Sequence, residues 1–472
     1  MSGQGLGYPG PGGRIGEYPD QGPRPTHSGL AIAAFVVSLI AFVSCWFPLV
    51  GLGGGIGAIL GFIDLASGHD VPTKKGLSIA AVVLGLLAAA VGAFWIYLIQ
   101  TSSCPHVYSF NGEGYVLDAD PLSGSLFRGG EAADMDRLEE LAAVDGEYRL
   151  RIANEREEVD FVNSVALRVV DHPETSEVLP TQDGEVLQVV GANAPVECTD
   201  GRGRDVLARL VTEDGVMFSS DAGDFSPDAP EEPRELVTCA FENPGGENAV
   251  LVLRGHNTEF GAEVFARYLA EMGSGVDELV RSMEDCDDYP EYIATQRELL
   301  GLGLDVEVWD GARWVRGEQL DPIGPAVLRS QAVRIGLPPG AGDQVRLRLG
   351  MAPLLWEIDQ ALLGTGEPVR ATDLLPAGAR TGSGHEARDQ LLRRDEARVE
   401  LASGEHVDLR FAAPPPVAND LRRTVILSIS GYYDIEVGGW GWVNPVAMWR
   451  HQTSRDSLPR FALRVAMSEA EP

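Results

Sequence analysis

Two long apolar runs open the chain and restrict what it can become. The stretch 29–66, GLAIAAFVVSLIAFVSCWFPLVGLGGGIGAILGFIDLA, holds one charge, Asp64, close to its end. The stretch 77–99 holds none. A spanning helix needs about 20 apolar residues, so the second run fits one span. At ~1.5 Å per residue the first run is nearly twice the thickness of the hydrocarbon layer. A break at Phe47-Pro48 resolves this, because proline interrupts the helix ladder. The expected module is therefore two short spans, 30–47 and 49–66, followed by 77–99. One long tilted span in place of the first two is the alternative.

Lys74 and Lys75, the chain's only lysines, lie in the gap between the runs. Basic residues beside spans mark the cytoplasmic side. No Lys or Arg follows the last span until Arg128, whereas Glu113, Asp118 and Asp120 do. Both arrangements place residues 101–472 across the bilayer from the lysines. Ahead of the runs, residues 1–28 are Gly, Pro and polar, the composition of a disordered tail. The first apolar run is too long and starts too late for a cleaved leader. Gly53, Gly57 and Gly61 give one bare helix face suited to close packing in lipid.

The Gly-Leu-Ala-Ile start, the Pro-Leu-x-Gly turn, the short basic loop and the Gly-Leu-x-Ile-Ala restart occur in residues 27–99. With these features the stretch resembles the bacterial membrane module called domain of unknown function 4190. That resemblance implies an integral membrane protein and brings no catalytic residue with it. "CPHVYSFNGEGYVLDADPLSG" (104–124) and "LRFAAPPPVANDLRRTVILSISGYYD" (409–434) resemble segments of uncharacterised β-rich bacterial envelope proteins.

Net charge is −33, with 70 acidic and 37 basic residues. Residues 1–100 sum to zero, so the excess lies wholly beyond them. That field repels nucleic acid and anionic lipid, and nucleic acid is excluded as a partner. The region alternates apolar and polar residues in short runs: 147–155, 164–171, 248–257, 304–317, 332–337, 344–351, 406–413 and 423–433. Gly, Pro, Asp or Asn bounds each run. This is the pattern of antiparallel sandwiches. One helix is expected near 259–283, with Phe260, Val264, Tyr268 and Met272 on one face. "YRLRIANEREEVDFVNSVALRVVD" and "VRLRLGMAPLLWEIDQALL" echo each other, consistent with two related sandwich units or with chance. The expected fold class is thus an N-terminal transmembrane helical module followed by an extracytoplasmic β-sandwich region. Its β-rich domains would be 100–235, 236–365 and 366–472.

Cys45 lies within an apolar run, and Cys104, Cys198, Cys239 and Cys286 lie beyond it. Four cysteines outside the cytoplasm suggest two disulfides of undetermined connectivity, with four buried thiols as the alternative. No CxxC is present, so neither redox nor zinc chemistry is implied. The absence of lysine after Lys75 removes P-loop, Schiff-base and Ser-Lys chemistry. There is no GxSxG elbow. "HEARD" (385–389) has Asp389 where a zinc-binding helix needs its second histidine. No cofactor or metal is implied, although 214–228 and 284–291 are oxygen-rich loops of the sort that can hold Ca²⁺. Asp118 with Asp120, or Glu357 with Asp359, are spaced to share a strand face as an acid–base pair. Tyr432, Tyr433, Trp440, Trp442 and Trp449 crowd one segment and are candidate binding residues. The expected function is non-catalytic binding of envelope glycan or an envelope protein by a membrane-anchored chain. The rival is a carboxylate-dependent glycan hydrolase.

Overall fold

A computed structural model describes residues 82–83, 105–156, 158–229, 233–245, 248–273, 276, 301–415, 418–435, 442–453 and 457–470. Ile99–Pro472 is one compact unit. Its strand pairs are antiparallel and form four sheets. The expected fold class needs correction at its N-terminal half. Among the described residues there are three short helices, and no helix is long and apolar enough to cross a membrane. The described fold is mostly β. Lys74, Lys75 and the expected spans lie outside the described residues, except for Val82 and Val83 within 77–99.

The first sandwich has an outer and an inner sheet. The outer sheet runs β18 (Gly378–Thr381), β20 (His406–Ala412), β4 (Glu147–Ala153), β1 (His106–Phe110), β2 (Tyr115–Ala119). The inner sheet runs β17 (Thr372–Leu374), β5 (Glu158–Pro173), β21 (Leu421–Ile435), β3 (Ala132–Leu138), with β19 (Val399–Leu401) also on β5. Alternation along each strand sends one set of side chains inward. Leu150, Ile152, Val407 and Phe411 of the outer sheet meet Val162, Leu167, Val425 and Leu427 of the inner one.

The second sandwich repeats this plan. Its outer sheet runs β13 (Trp314–Leu320), β12 (Leu304–Trp309), β15 (Gln344–Met351), β10 (Glu235–Glu242), β8 (Glu197–Asp200). Its inner sheet runs β14 (Arg329–Ile335), β11 (Ala249–Asn257), β16 (Trp356–Pro368), β7 (Val186–Asn193), β6 (Ser176–Pro180), with β9 (Phe218–Ser219) on β16. Helix α1 (Glu259–Met272) begins at Thr258, whose hydroxyl accepts the Gly261 N–H at 2.9 Å, and stops at Gly273 with φ +69°. Beyond Gly273, the rest of the expected stretch to 283 lies outside the described residues apart from Val276. Two further helices are α2 (Pro445–Thr453) and α3 (Ser457–Ala470). Tyr268 of α1 packs edge-on against Phe461 of α3 with ring centroids 5.7 Å apart, in the same core as Trp356 and Leu347.

Laid side by side, the two outer sheets match strand for strand: β2, β1, β4, β20, β18 against β13, β12, β15, β10, β8. The inner sheets match as β3, β21, β5, β17 against β14, β11, β16, β7. The chain therefore contains two copies of one ten-strand unit, β1–β5 with β7–β11 and β12–β16 with β17–β21. Each sandwich takes the first five strands of one copy and the last five of the other. The chain crosses between sandwiches after Pro173 and again after Pro368. The strands accordingly do not group as 100–235, 236–365 and 366–472.

Register confirms the match. β11 on β16 shifts register between Arg254 and Gly255; β21 on β5 shifts between Ser430 and Gly431. A Cβ on Gly255 would lie 2.6 Å from the Glu357 carbonyl oxygen, and one on Gly431 would press on that of Phe161. Both copies thus need glycine at the bulge for the same reason, close approach of two backbones. The echo between 148–171 and 345–363 in the sequence is β4–β5 against β15–β16.

Candidate functional site: an aromatic and arginine row on each outer sheet

At the free edge of each outer sheet a short hairpin carries two aromatic rings. In the first, Phe110-Asn111-Gly112-Glu113-Gly114-Tyr115 joins β1 to β2; in the second, Trp309-Asp310-Gly311-Ala312-Arg313-Trp314 joins β12 to β13. The two turns are built alike. Asn111 Oδ1 accepts the N–H groups of Glu113 and Gly114, both at 3.0 Å. Asp310 Oδ1 accepts those of Ala312 and Arg313, both at 2.8 Å. These bonds hold the Asp310 carboxyl below the usual carboxylate range. Gly112 and Gly311 sit at φ +103° and +99°, which a side chain rarely adopts.

The turns bring Phe110 opposite Tyr115 and Trp309 opposite Trp314. Ring centroids are 5.5 Å and 5.3 Å apart, edge to face in both pairs. An arginine two strands in from the edge covers the edge ring: Arg151 lies 4.8 Å from Tyr115, and Arg348 lies 4.6 Å from Trp314. Beside each inner ring comes a second arginine on the outward face, Arg149 by Phe110 and Arg346 by Trp309. Tyr115 is 38% exposed and Val315, beside Trp314, 41%.

The two rows differ in how their arginines are held. On the first sheet Arg151 donates to both carboxylate oxygens of Asp408, at 2.7 and 3.1 Å. Arg149 lies 3.5 Å from Glu147 and 3.9 Å from Asp145, and Arg410 is 3.7 Å from Glu147. On the second sheet Arg348 donates to Glu307 at 2.6 Å, and Arg316 to Asp305 at 2.9 Å. Arg346 is exposed, and among the described residues its side chain has no ion-pair or hydrogen-bond partner.

The residues singled out in the sequence fall elsewhere. Tyr432 is buried and stacks on Phe161 at 4.6 Å. Tyr433 is buried, with its hydroxyl oxygen 3.3 Å from the Gly124 N–H that donates to it. Trp442 and Trp449 are 95% and 68% exposed, and Trp440 lies outside the described residues. The expected five-residue surface is therefore divided. Cys198 and Cys239 face each other across β8 and β10 and form a disulfide, while Cys104 and Cys286 lie outside the described residues.

The candidate acid–base pairs each bond to nearby groups of the fold. Asp118 accepts the N–H groups of Glu139 and Glu140, and Asp120 that of Ala326 at 2.7 Å. Asp359 accepts the Gly215 N–H at 3.0 Å, and Glu357 Oε2 lies 3.1 Å from His256 Nε2. Burial pushes Asp120 up to about 7, against the nearby Arg329 guanidinium that draws it down. The oxygen-rich loop 214–228 walls an open cavity of about 520 Å³ with Asp200, Arg204 and Asp205. Arg204 pairs there with both Asp200 and Asp224. Among the described residues no group of three or more His, Cys, Asp or Glu could hold a metal ion, and the second oxygen-rich loop, 284–291, lies outside them. The hairpin rings escaped the sequence reading, although Asn-Gly and Asp-Gly between aromatics are hairpin signals.

No family model and no curated protein matches the chain. Among solved structures, a GH31 alpha-xylosidase from Xanthomonas citri aligns with 63% of this chain and 28% of its own, at 11% identity and a TM-score of 0.15. Similarity that slight says nothing about fold or activity.

Proposed function

We propose that the β region is a non-catalytic, extracytoplasmic binding module for envelope glycan, using the aromatic rows of its outer sheets. The observation that carries this reading is the repetition. Both copies keep an aromatic pair on an exposed hairpin, with an arginine over the edge ring, where no core packing requires it. Flat rings on a rigid sheet edge stack against the C–H faces of sugars, and flanking guanidinium groups bond to hydroxyls. The disulfide Cys198–Cys239 supports an oxidising location. Against a hydrolase, Asp118, Asp120, Glu357 and Asp359 each bond to a neighbouring backbone N–H or to His256, although one oxygen of Asp120 and one of Asp359 stay unbonded.

The test is a pull-down of the full chain on insoluble envelope polysaccharide, with the Tyr115→Ala and Trp314→Ala variants. Loss of one ring contact worth about 1 kcal/mol weakens binding about fivefold per site. Retention of wild-type binding in the double variant would remove the hairpins from the function. Turnover of the polysaccharide that Asp118→Asn or Glu357→Gln abolishes would replace binding with hydrolysis.

A further inference from the structure

We infer that the row on the second outer sheet selects glycans carrying isolated carboxylates, with Arg346 as the group that binds the carboxylate. This inference rests on the glycan-binding reading and names the ligand class for one of the two rows.

The argument starts from the two copies. Phe411 pairs with Tyr148 and Ala412 with Glu147; Phe241 pairs with Val345 and Glu242 with Gln344. Glu147 and Gln344 are therefore equivalent, as are Arg149 and Arg346. In the first copy Glu147 holds both Arg149 and Arg410. In the second, the position of Glu147 is a neutral glutamine and that of Arg410 is Ala240. The arginine remains and the carboxylate that held it is gone. Glu242 and Glu197 lie on neighbouring strands of the same sheet, and neither pairs with Arg346.

Its surroundings fit an incoming carboxylate. Val308 pairs with Leu347, so Arg346 lies one step further on, beside Trp309. Arg313, Arg316 and Arg348 crowd the same edge, and the carboxylates among them are engaged: Asp305 with Arg316, Glu307 with Arg348, Asp310 in its turn. Arg346 thus stands exposed next to Trp309 in the strand register, with no carboxylate of its own sheet bound to it. A guanidinium meets a carboxylate through two parallel N–H bonds, and the ring beside it can seat the sugar that bears it. The same net charge repels a dense polyanion. The fitting ligand is a uronic acid set among neutral sugars. The first row, with its arginines already paired, has no such preference.

The experiment compares hexasaccharides in neutral form and with one uronic acid, drawn from glucan, mannan and galactan, by tryptophan fluorescence titration of the full chain. The expected result is about tenfold tighter binding of a uronic form, as one charge-assisted pair provides. In Arg346→Gln the ratio of the two affinities falls to near one, and Arg346→Lys restores part of it. Equal binding of both forms by the wild type, or a ratio unchanged in Arg346→Gln, overturns this inference and leaves the glycan reading intact. Binding of none of the sugars overturns both. Arg346 is exposed, so the variants keep the wild-type melting temperature, which is measured alongside.

Discussion

Several acids are buried in this protein, and their environments set its response to pH. Asp136 is pushed up to about 7 by burial, in spite of Arg329, which donates to it at 3.1 Å. Asp120, beside the same arginine, behaves alike. Asp160 on β5 is raised by burial, and its bond with Glu158 only partly opposes this. Each carboxyl binds its proton more tightly in the folded chain than in the unfolded one. Their contribution is therefore most favourable below the unfolded value near 4 and is lost as pH rises toward the folded one. Glu131, Glu139, Glu155, Asp171 and Asp200 shift downward, and their effect is complete by about pH 5. Between pH 5 and 8 the raised acids dominate. The melting temperature should fall across that range, and Asp160→Asn, which fixes the neutral form, should flatten the decline. A melting temperature that holds constant or rises over those pH values would contradict the assignment.

At the scale of the element, period-two alternation was legible and partner choice was not. The run QVRLRLGM at 344–351 is β15, residue for residue, and 248–257 contains β11. Alternation states which side chains go inward. It is silent on which strand lies alongside, so the exchange of halves left no mark in any single run. The stretch 304–317 read as one strand; Asp310-Gly311 folds it into a hairpin. Helix α3 went unread, although Leu458, Phe461, Ala462 and Val465 recur at helical spacing. Cysteine pairing depended on strand order in the same way. Cys198 and Cys239 are 41 positions apart and meet because β8 lies on β10. The equivalent positions in the first sandwich are Ala379 and Leu409, which pack without a bridge. Reduction should therefore cost stability in the second sandwich, about 2–4 kcal/mol for a loop of this kind. The pair of changes Cys198→Ala and Cys239→Leu should lose less than Cys198→Ser with Cys239→Ser, because it installs side chains already proven at that site. Denaturant titration of the four forms measures this; equal midpoints in oxidised and reduced protein would show that the bridge constrains nothing.

For the whole molecule, the exchange of halves decides how the sandwiches can move. An ordinary tandem pair could part at its linker. Here β5 of the first copy pairs with β21 of the second from Pro173–Leu421 to Glu158–Ile435, and β16 pairs with β11 in the reciprocal arrangement. Between the inner sheets Arg329 of β14 is bound to Asp134 and Asp136 of β3, while Met135, Val170 and Ile426 pack on Val178 and Val186. Such a buried ion pair is costly to break from one side, because it strands the remaining charge. The two aromatic rows are thus held at a fixed distance and angle, and a polymer binding both gains from their effective concentration. A protease site inserted between α1 and β12 would test the topology. Cleavage yields one fragment with β1–β11 and another with β12–β21, and the disulfide lies wholly within the first. Because each sandwich needs half of each fragment, the pieces should co-elute at the uncut size in native buffer and separate only in denaturant. Fragments that part in native buffer, each compact, would mean that every copy closes on itself and that the halves are not exchanged.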